Sequence, residues 1–512
     1  MKTARRGAAG AASVAALALV LGACGGGGDG DGGGTTDEGS SEASFDRPIT
    51  WMSILHTPTT PDAEGPIQVA LEEHTGVEFE IQWVPDASKD EKLNAALASN
   101  TLSDLTTLTQ VDSSTVRNAL SSGMFWDVEE YLEEFPNLSE IDPKTLEAAR
   151  IDGGLYGVPF QKPLARYGVL VRQDWLDNLG LETPHTVEEL GEVARAFTED
   201  DPDGNGAADT VGFIERAESF QLSFRVLAGY FGAGDKFVVD DDDTVVPAFT
   251  TDEFKTAMEW YREVYENGHM NQEFVTTQKQ NQQDAIAQGK GGIVITGLME
   301  ARNYMNLARS ANPETPMAWA LVNDMTWGDV PRRVVSDTNG GMGGWLAISK
   351  ENIKTEDELR HVLGFIDSLL DEEAFDLMTN GIEGTHYELD ADGVLTILDQ
   401  GVWQQEVQPY AGSRPSDLVA TYKVSDPYQN LSNELIPLNA EFAVTNPAQP
   451  LTSETYDAQW SAINQSIADA FNRYVMGDID MDGYEDAIES ARGQGLDAVI
   501  EEFTASYAEV NG

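Results

Sequence analysis

A single cysteine, Cys24, stands in 512 residues. The chain therefore has no internal disulfide, and beyond position 24 it has no thiol for catalysis or metal binding. Basic residues are scarce: 31 Lys and Arg face 88 Asp and Glu, for a formal net charge of −57. A surface of that sign repels nucleic-acid phosphates and anionic lipid headgroups, so neither is an expected partner. The six histidines, His56, His74, His185, His269, His361 and His386, show no metal-ligand spacing. No Gly-rich phosphate loop follows a strand, and no Gly-x-Ser-x-Gly elbow is present. Carboxylates are so numerous that a paired-carboxylate hydrolase site stays open. Beyond the N-terminus no transmembrane helix is visible.

The strongest local signal is N-terminal. Lys2, Arg5 and Arg6 precede a short apolar run, Ala11 to Leu21, too short to span a bilayer. It ends in Leu21-Gly22-Ala23-Cys24, which resembles the bacterial lipobox. Residues 1–24 are expected to be a lipoprotein signal peptide, with Cys24 the lipid attachment point. Residues 25–45 are almost all Gly, Asp, Glu, Ser and Thr, cannot bury apolar surface, and are expected to form a flexible tether. That places the folded part at the cell membrane, lipid-anchored, on the extracytoplasmic face.

From Phe45 onward, strand-like and helix-like segments alternate. Ile49–Leu55 reads as a buried first strand, and Val77, Phe79, Ile81 and Trp83 alternate with polar residues at strand period. Thr186/Glu189, Thr250/Glu253 and Thr355/Glu358 read as capping boxes, each followed by apolar residues at i, i+3, i+4, i+7 spacing. The fold class is α/β. Tyr156-Gly157-Val158-Pro159 and Gly340–Gly344 are tight turns or hinge crossings.

Several segments then fall into a familiar order. Leu97-Ala98-Ser99-Asn100 precedes Asp104, with Ser103 where a proline is usual. Gly123-Met124-Phe125-Trp126-Asp127-Val128 is followed by Phe135-Pro136-Asn137-Leu138. Asp152 to Pro159, Arg172 to Leu176, Leu179-Gly180-Leu181, Pro184-His185-Thr186, Gly343 to Ser349 and Gly381 to Tyr387 complete the series. Together they resemble the sugar-binding (family 1) extracellular solute-binding lipoproteins of ABC importers, the large oligosaccharide-binding type above all. The resemblance covers nearly all of residues 46–512. It implies a two-lobed periplasmic-binding-protein-like fold (type II) with discontinuous lobes joined by hinge crossings: 46–162 with 342–410, and 163–341 with 411–512. It further implies a monomer that captures a carbohydrate, passes it to permease subunits in the membrane, and is not an enzyme. A membrane-tethered glycoside hydrolase is the competing reading, and a peptide-binding or adhesive surface protein of the same fold is a third.

Asp201-Pro202-Asp203-Gly204-Asn205-Gly206-Ala207-Ala208-Asp209 places oxygen side chains at positions 1, 3, 5 and 9, and glycine at 6. This is the opening of an EF-hand-type loop, with Asp201, Asp203, Asn205, Ala207 (through its carbonyl) and Asp209 as candidate calcium ligands. Gly212 stands where the bidentate glutamate is expected, so a solvated acidic turn is the alternative. Asp478, Asp480, Asp482 and Glu489 share the spacing, but a helix N-terminus there favours a capping role. Ten tryptophans suit sugar binding, because aromatic faces pack on pyranose rings. Trp175 and Trp260 read as helix packing. The candidate substrate residues are Trp51, His56, Arg166, Trp327, Trp345, His386 and Tyr387.

Overall fold

The computed structural model describes residues 45–57 and 59–511. The segment expected to be a signal peptide, Cys24 and nearly all of the expected tether lie outside them. Among these residues no helix is long and apolar enough to cross a membrane. Nine strands build two main sheets: β1 Ile49–Leu55, β2 Phe79–Pro85, β3 Leu105–Leu108, β4 Val158–Gln161, β5 Tyr167–Arg172, β6 Val211–Phe213, β7 Gly291–Gly297, β8 Trp319–Val322 and β9 Met342–Ile348.

The first sheet has the order β2-β1-β3-β9-β4. β1 runs parallel to β2 and β3, while β9 is antiparallel to β3 and β4. β1 is buried along nearly its whole length, as a central parallel strand covered on both faces should be. β2 keeps its alternation because it is an edge strand, with Phe79 buried and Glu80 and Gln82 exposed. Ile49, Trp51, Leu105, Phe125, Leu346 and Ile366 belong to one continuous core.

The second sheet has the order β8-β5-β7-β6. β5 is antiparallel to both of its neighbours, and β6 is parallel to β7. Its helices bury Trp175, Phe197, Phe224, Phe254, Tyr261 and Phe471 in a second core. The two main sheets and the two large cores are thus drawn from interleaved segments, and smaller clusters around Leu170 and Val294 and around Phe237 and Phe503 complete the packing.

Helix starts follow local chemistry. Thr186 and Thr355 form complete capping boxes with Glu189 and Glu358. Thr250 does not cap. Its hydroxyl donates to the Pro247 carbonyl in a 3₁₀ turn, and Thr251 caps the helix Asp252–Glu266 one residue later. Asp480 caps the helix Met481–Ala491 by accepting from the Gly483 N–H at 3.0 Å.

Three segments pass between the sheets. Between β4 and β5, the Lys162 N–H donates to the Gly341 carbonyl at 2.8 Å. The Thr338 hydroxyl donates to the Pro163 carbonyl at 2.8 Å. The third segment joins at Gln161, whose N–H reaches the Pro415 carbonyl at 2.9 Å. Gly340, Gly341 and Gly344 all have positive φ, and a Cβ on Gly344 would stand 2.1 Å from the Leu108 carbonyl oxygen. Only glycine fits this passage.

Candidate functional site

A cavity of about 480 Å³ opens beside these crossings. Most of its wall comes from the second core's elements, and Asp112, which follows β3, comes from the first. Carboxyl ends of parallel strands are where clefts of α/β proteins open. Lys236 spans the gap, with Nζ 3.8 Å from Asp112 and 3.3 Å from Oδ1 of Asn339 in a crossing segment.

One wall is aromatic. Trp460 and Tyr456 lie one turn apart on the helix Glu454–Val475 and stack at 5.1 Å with 25° between their planes. Phe249 continues the stack at 6.0 Å and 23° from Trp460. Trp460 is half-buried, so part of it remains open. Gln221, Arg225 and Asn464 add hydrogen-bonding groups to the same cavity. An apolar face beside a few convergent polar groups is what a pyranose ring requires.

The polar floor is held from behind. Arg225 is paired with the buried Asp235, and Arg166 lies 2.7 Å from the buried Asp337. The Tyr167 phenol lies in the field of Asp337, Arg216, Arg166 and Arg225, and burial pushes its pKa up. Beneath them Glu215 is fully buried. Burial pushes its carboxyl up to about 7, although Ser219 and Ser223 both donate to Oε2, at 2.7 and 2.6 Å. Its Oε1 has no hydrogen-bond partner among the described residues. Ser219 and Ser223 begin the short 3₁₀ and α-helical turns that carry Gln221 and Arg225. The buried carboxyl therefore pins the turn that supplies the cavity's polar side chains.

The residues named from sequence separate into groups. Trp51 and Trp345 are core side chains. Their indole N–H groups donate to the Thr107 hydroxyl and the Ala149 carbonyl, and neither ring face is open to a ligand. His386 is fully buried. Its Nδ1 accepts from the Ile382 N–H, which leaves Nε2 to donate to Glu406 at 3.1 Å. Tyr387 is buried with its hydroxyl donating to Asp376 at 2.6 Å. These four hold structure. Trp327 packs on Phe231 at the rim of the second core, 4.6 Å between centroids. His56 follows β1, exposed, 3.5 Å from Asp86. Arg166 lies in the crossing itself. Sequence reasoning missed Trp460, Tyr456, Arg225 and Lys236. The available signal was the run of cations Arg216, Arg225 and Lys236 in so acidic a chain.

In the 201–209 loop the three carboxylates gather on Asn205. Asp203 and Asp209 both accept from Asn205 Nδ2, at 2.9 and 3.1 Å, and Asp201 accepts from the Asn205 and Gly206 N–H groups. Asn205 Oδ1 is turned away to accept from the Ala207 N–H, and Lys290 Nζ sits 2.6 Å from Asp209. Among the described residues no group of three or more His, Cys, Asp or Glu is disposed to hold a metal.

Comparison with known proteins adds a sequence relationship to this geometry. The family model described as bacterial extracellular solute-binding protein matches residues 57–371. The chain is 35% identical over 485 residues to a polygalacturonan/rhamnogalacturonan-binding protein, YtcQ, of Bacillus subtilis (strain 168), covering 92% of this chain and 94% of that one. It is 30% identical over 482 residues to the lipoprotein LipO of the same organism, covering 92% and 94%. Among solved structures, an HMO-binding ABC-transporter-associated solute-binding protein from Bifidobacterium longum infantis superposes with a TM-score of 0.67 at 16% identity, over 90% of this chain and 99% of that one. That likeness establishes the two-lobed fold.

Proposed function

Because the chain belongs to the bacterial extracellular solute-binding proteins, we propose that it is the carbohydrate-capturing component of an ABC importer. It binds and releases its ligand unchanged. The observation that carries this reading is the cavity beside the crossings, with an aromatic wall at Trp460 and Tyr456 and hydrogen-bonding groups around it. A pyranose stacks on the ring faces while its hydroxyls take Gln221, Arg225 and Asn464. An oligosaccharide is favoured over a single sugar, since a relative 35% identical is named for polygalacturonan and rhamnogalacturonan. Membership in a family of binding proteins favours this reading over the hydrolase, and the polysaccharide-binding relative favours it over a peptide binder.

Titration with a panel of oligosaccharides, followed by tryptophan fluorescence, tests the assignment. A member of the panel should bind, and Trp460→Ala should weaken it about tenfold or more, the scale of one lost aromatic stack. Equal affinity in the variant moves the site elsewhere.

The lobes 46–162 with 342–410 and 163–341 with 411–512 close on this ligand through the crossings, and the protein works as a monomer beside its permease. Lipid on Cys24 holds it at the membrane, since a diacyl anchor binds stably where one chain does not. Cys24→Ser should release the protein into the medium. A variant retained in the membrane fraction contradicts the anchor.

Calcium in the 201–209 loop is a second proposal. Three carboxylates, the Asn205 amide oxygen and the Ala207 carbonyl are the hard oxygens the ion takes, and the carboxylates already converge on one residue. Lys290 competes for Asp209.

A further inference from the structure

We propose that the ligand is an acidic oligosaccharide, and that Arg225 and Lys236, with Arg166 beside them, hold a sugar carboxylate in the cavity next to the crossings. The inference rests on the carbohydrate reading above and specifies its ligand. It starts from the scarcity of cations. A chain of net charge −57 repels an anion at long range unless positive groups are concentrated where the anion lands. Two of the chain's few cations, Arg225 and Lys236, line this cavity, and Arg166 stands in the adjoining crossing.

The two principal ion pairs are also oriented. The Asp235 side chain is 1% exposed against 15% for its partner Arg225. Asp337 is 4% exposed against 36% for Arg166. In each pair the anion lies behind and the guanidinium faces out. The pair is neutral, yet the surface shown to a ligand is positive. Arg225 uses Nη1 on Asp235. Its Nη2 makes no hydrogen bond among the described residues and is not one of the buried unpartnered atoms. A guanidinium fixed at one nitrogen with another open is preset for a carboxylate.

Asp112 and Asp457 share the cavity wall, and neither prevents this. Asp112 is exposed and stands 3.8 Å from Lys236, beyond hydrogen-bond range, so an incoming carboxylate can replace it. The Asp457 carboxyl, raised in pKa by burial, lies in the field of Arg117, which offsets its charge.

Calorimetric titration with tetragalacturonate, its fully methyl-esterified form and a neutral tetrasaccharide tests the proposal on the full-length folded domain. Tetragalacturonate should bind about tenfold or more tighter than its ester, the scale of a charge-assisted hydrogen bond. Added salt should weaken only the acid. Lys236→Gln, at a partly exposed side chain, should bring the acid's affinity down toward the ester's while leaving the ester's affinity unchanged, whereas Arg225→Gln should weaken both and the acid more. Equal affinity for acid and ester, or binding of the neutral tetrasaccharide alone, overturns the acidic-ligand inference and leaves the carbohydrate reading standing. Binding of no sugar in this set or in the wider panel overturns both.

Discussion

Glu215 shows how a residue far from solvent can govern a surface that meets ligand. Its carboxyl accepts from Ser219 and Ser223, and those contacts fix the turn that bears Gln221 and Arg225. Burial raises the pKa from 4.5 to about 7. In the unfolded chain the group ionises near its ordinary value, so the neutral form is favoured in the fold. Stability linked to this carboxyl is therefore complete below pH 4.5 and lost as the pH rises to about 7. Glu215→Gln cannot ionise. Relative to wild type it should gain roughly 2 kcal/mol between pH 5 and pH 8, measured by urea denaturation. A constant difference across that range contradicts a neutral buried carboxyl. None of this was legible in the sequence, where Glu215 is one acid among 88 acidic residues. The tryptophans were equally mute. Trp51 and Trp345 sit on strands of the first sheet yet point into the core, whereas Trp460 rides a helix whose Ile463, Ile467 and Phe471 stripe reads only as packing.

At the scale of elements, legibility depended on whether the signal was local. Capping boxes at Thr186 and Thr355 need only four residues and an N-terminal turn, and both formed. Thr250 failed because Thr251 competes for the same helix start and the Pro247 carbonyl takes the Thr250 hydroxyl. The 201–209 loop is likewise local, and its carboxylates take hydrogen bonds from Asn205 and an ion pair with Lys290. If calcium binds there, folded protein gains RT ln(1 + [Ca²⁺]/Kd), about 2.7 kcal/mol at a hundredfold excess over Kd. The melting temperature should rise by a few degrees, on the order of 2 °C per kcal/mol, when EDTA is replaced by millimolar calcium. Asp203→Ala with Asp209→Ala should abolish the rise. A rise that persists in the double variant places the ion elsewhere, and no rise in wild type leaves the loop an acidic turn.

Among the described residues, two main sheets and two large cores are assembled from interleaved stretches of chain, tied by three crossing segments. The two-lobed fold was readable through the order of its short motifs, which resembles that of the family; the turn glycines and prolines alone fit tight turns and hinges equally. The cavity was not readable, since it needs Asp112, Lys236 and Trp460 brought together from distant parts of the chain. Positive-φ glycines at 340, 341 and 344 and a few hydrogen bonds near Lys162 and Thr338 join the halves, and such segments absorb the backbone rotations of closure. Capture of an oligosaccharide between the lobes must then change the shape of the molecule. Small-angle scattering tests this most directly, with the protein alone and with an oligosaccharide at a concentration that calorimetry shows to be saturating. Closure predicts a smaller radius of gyration in the complex; an unchanged profile at full occupancy would contradict hinge closure on the ligand.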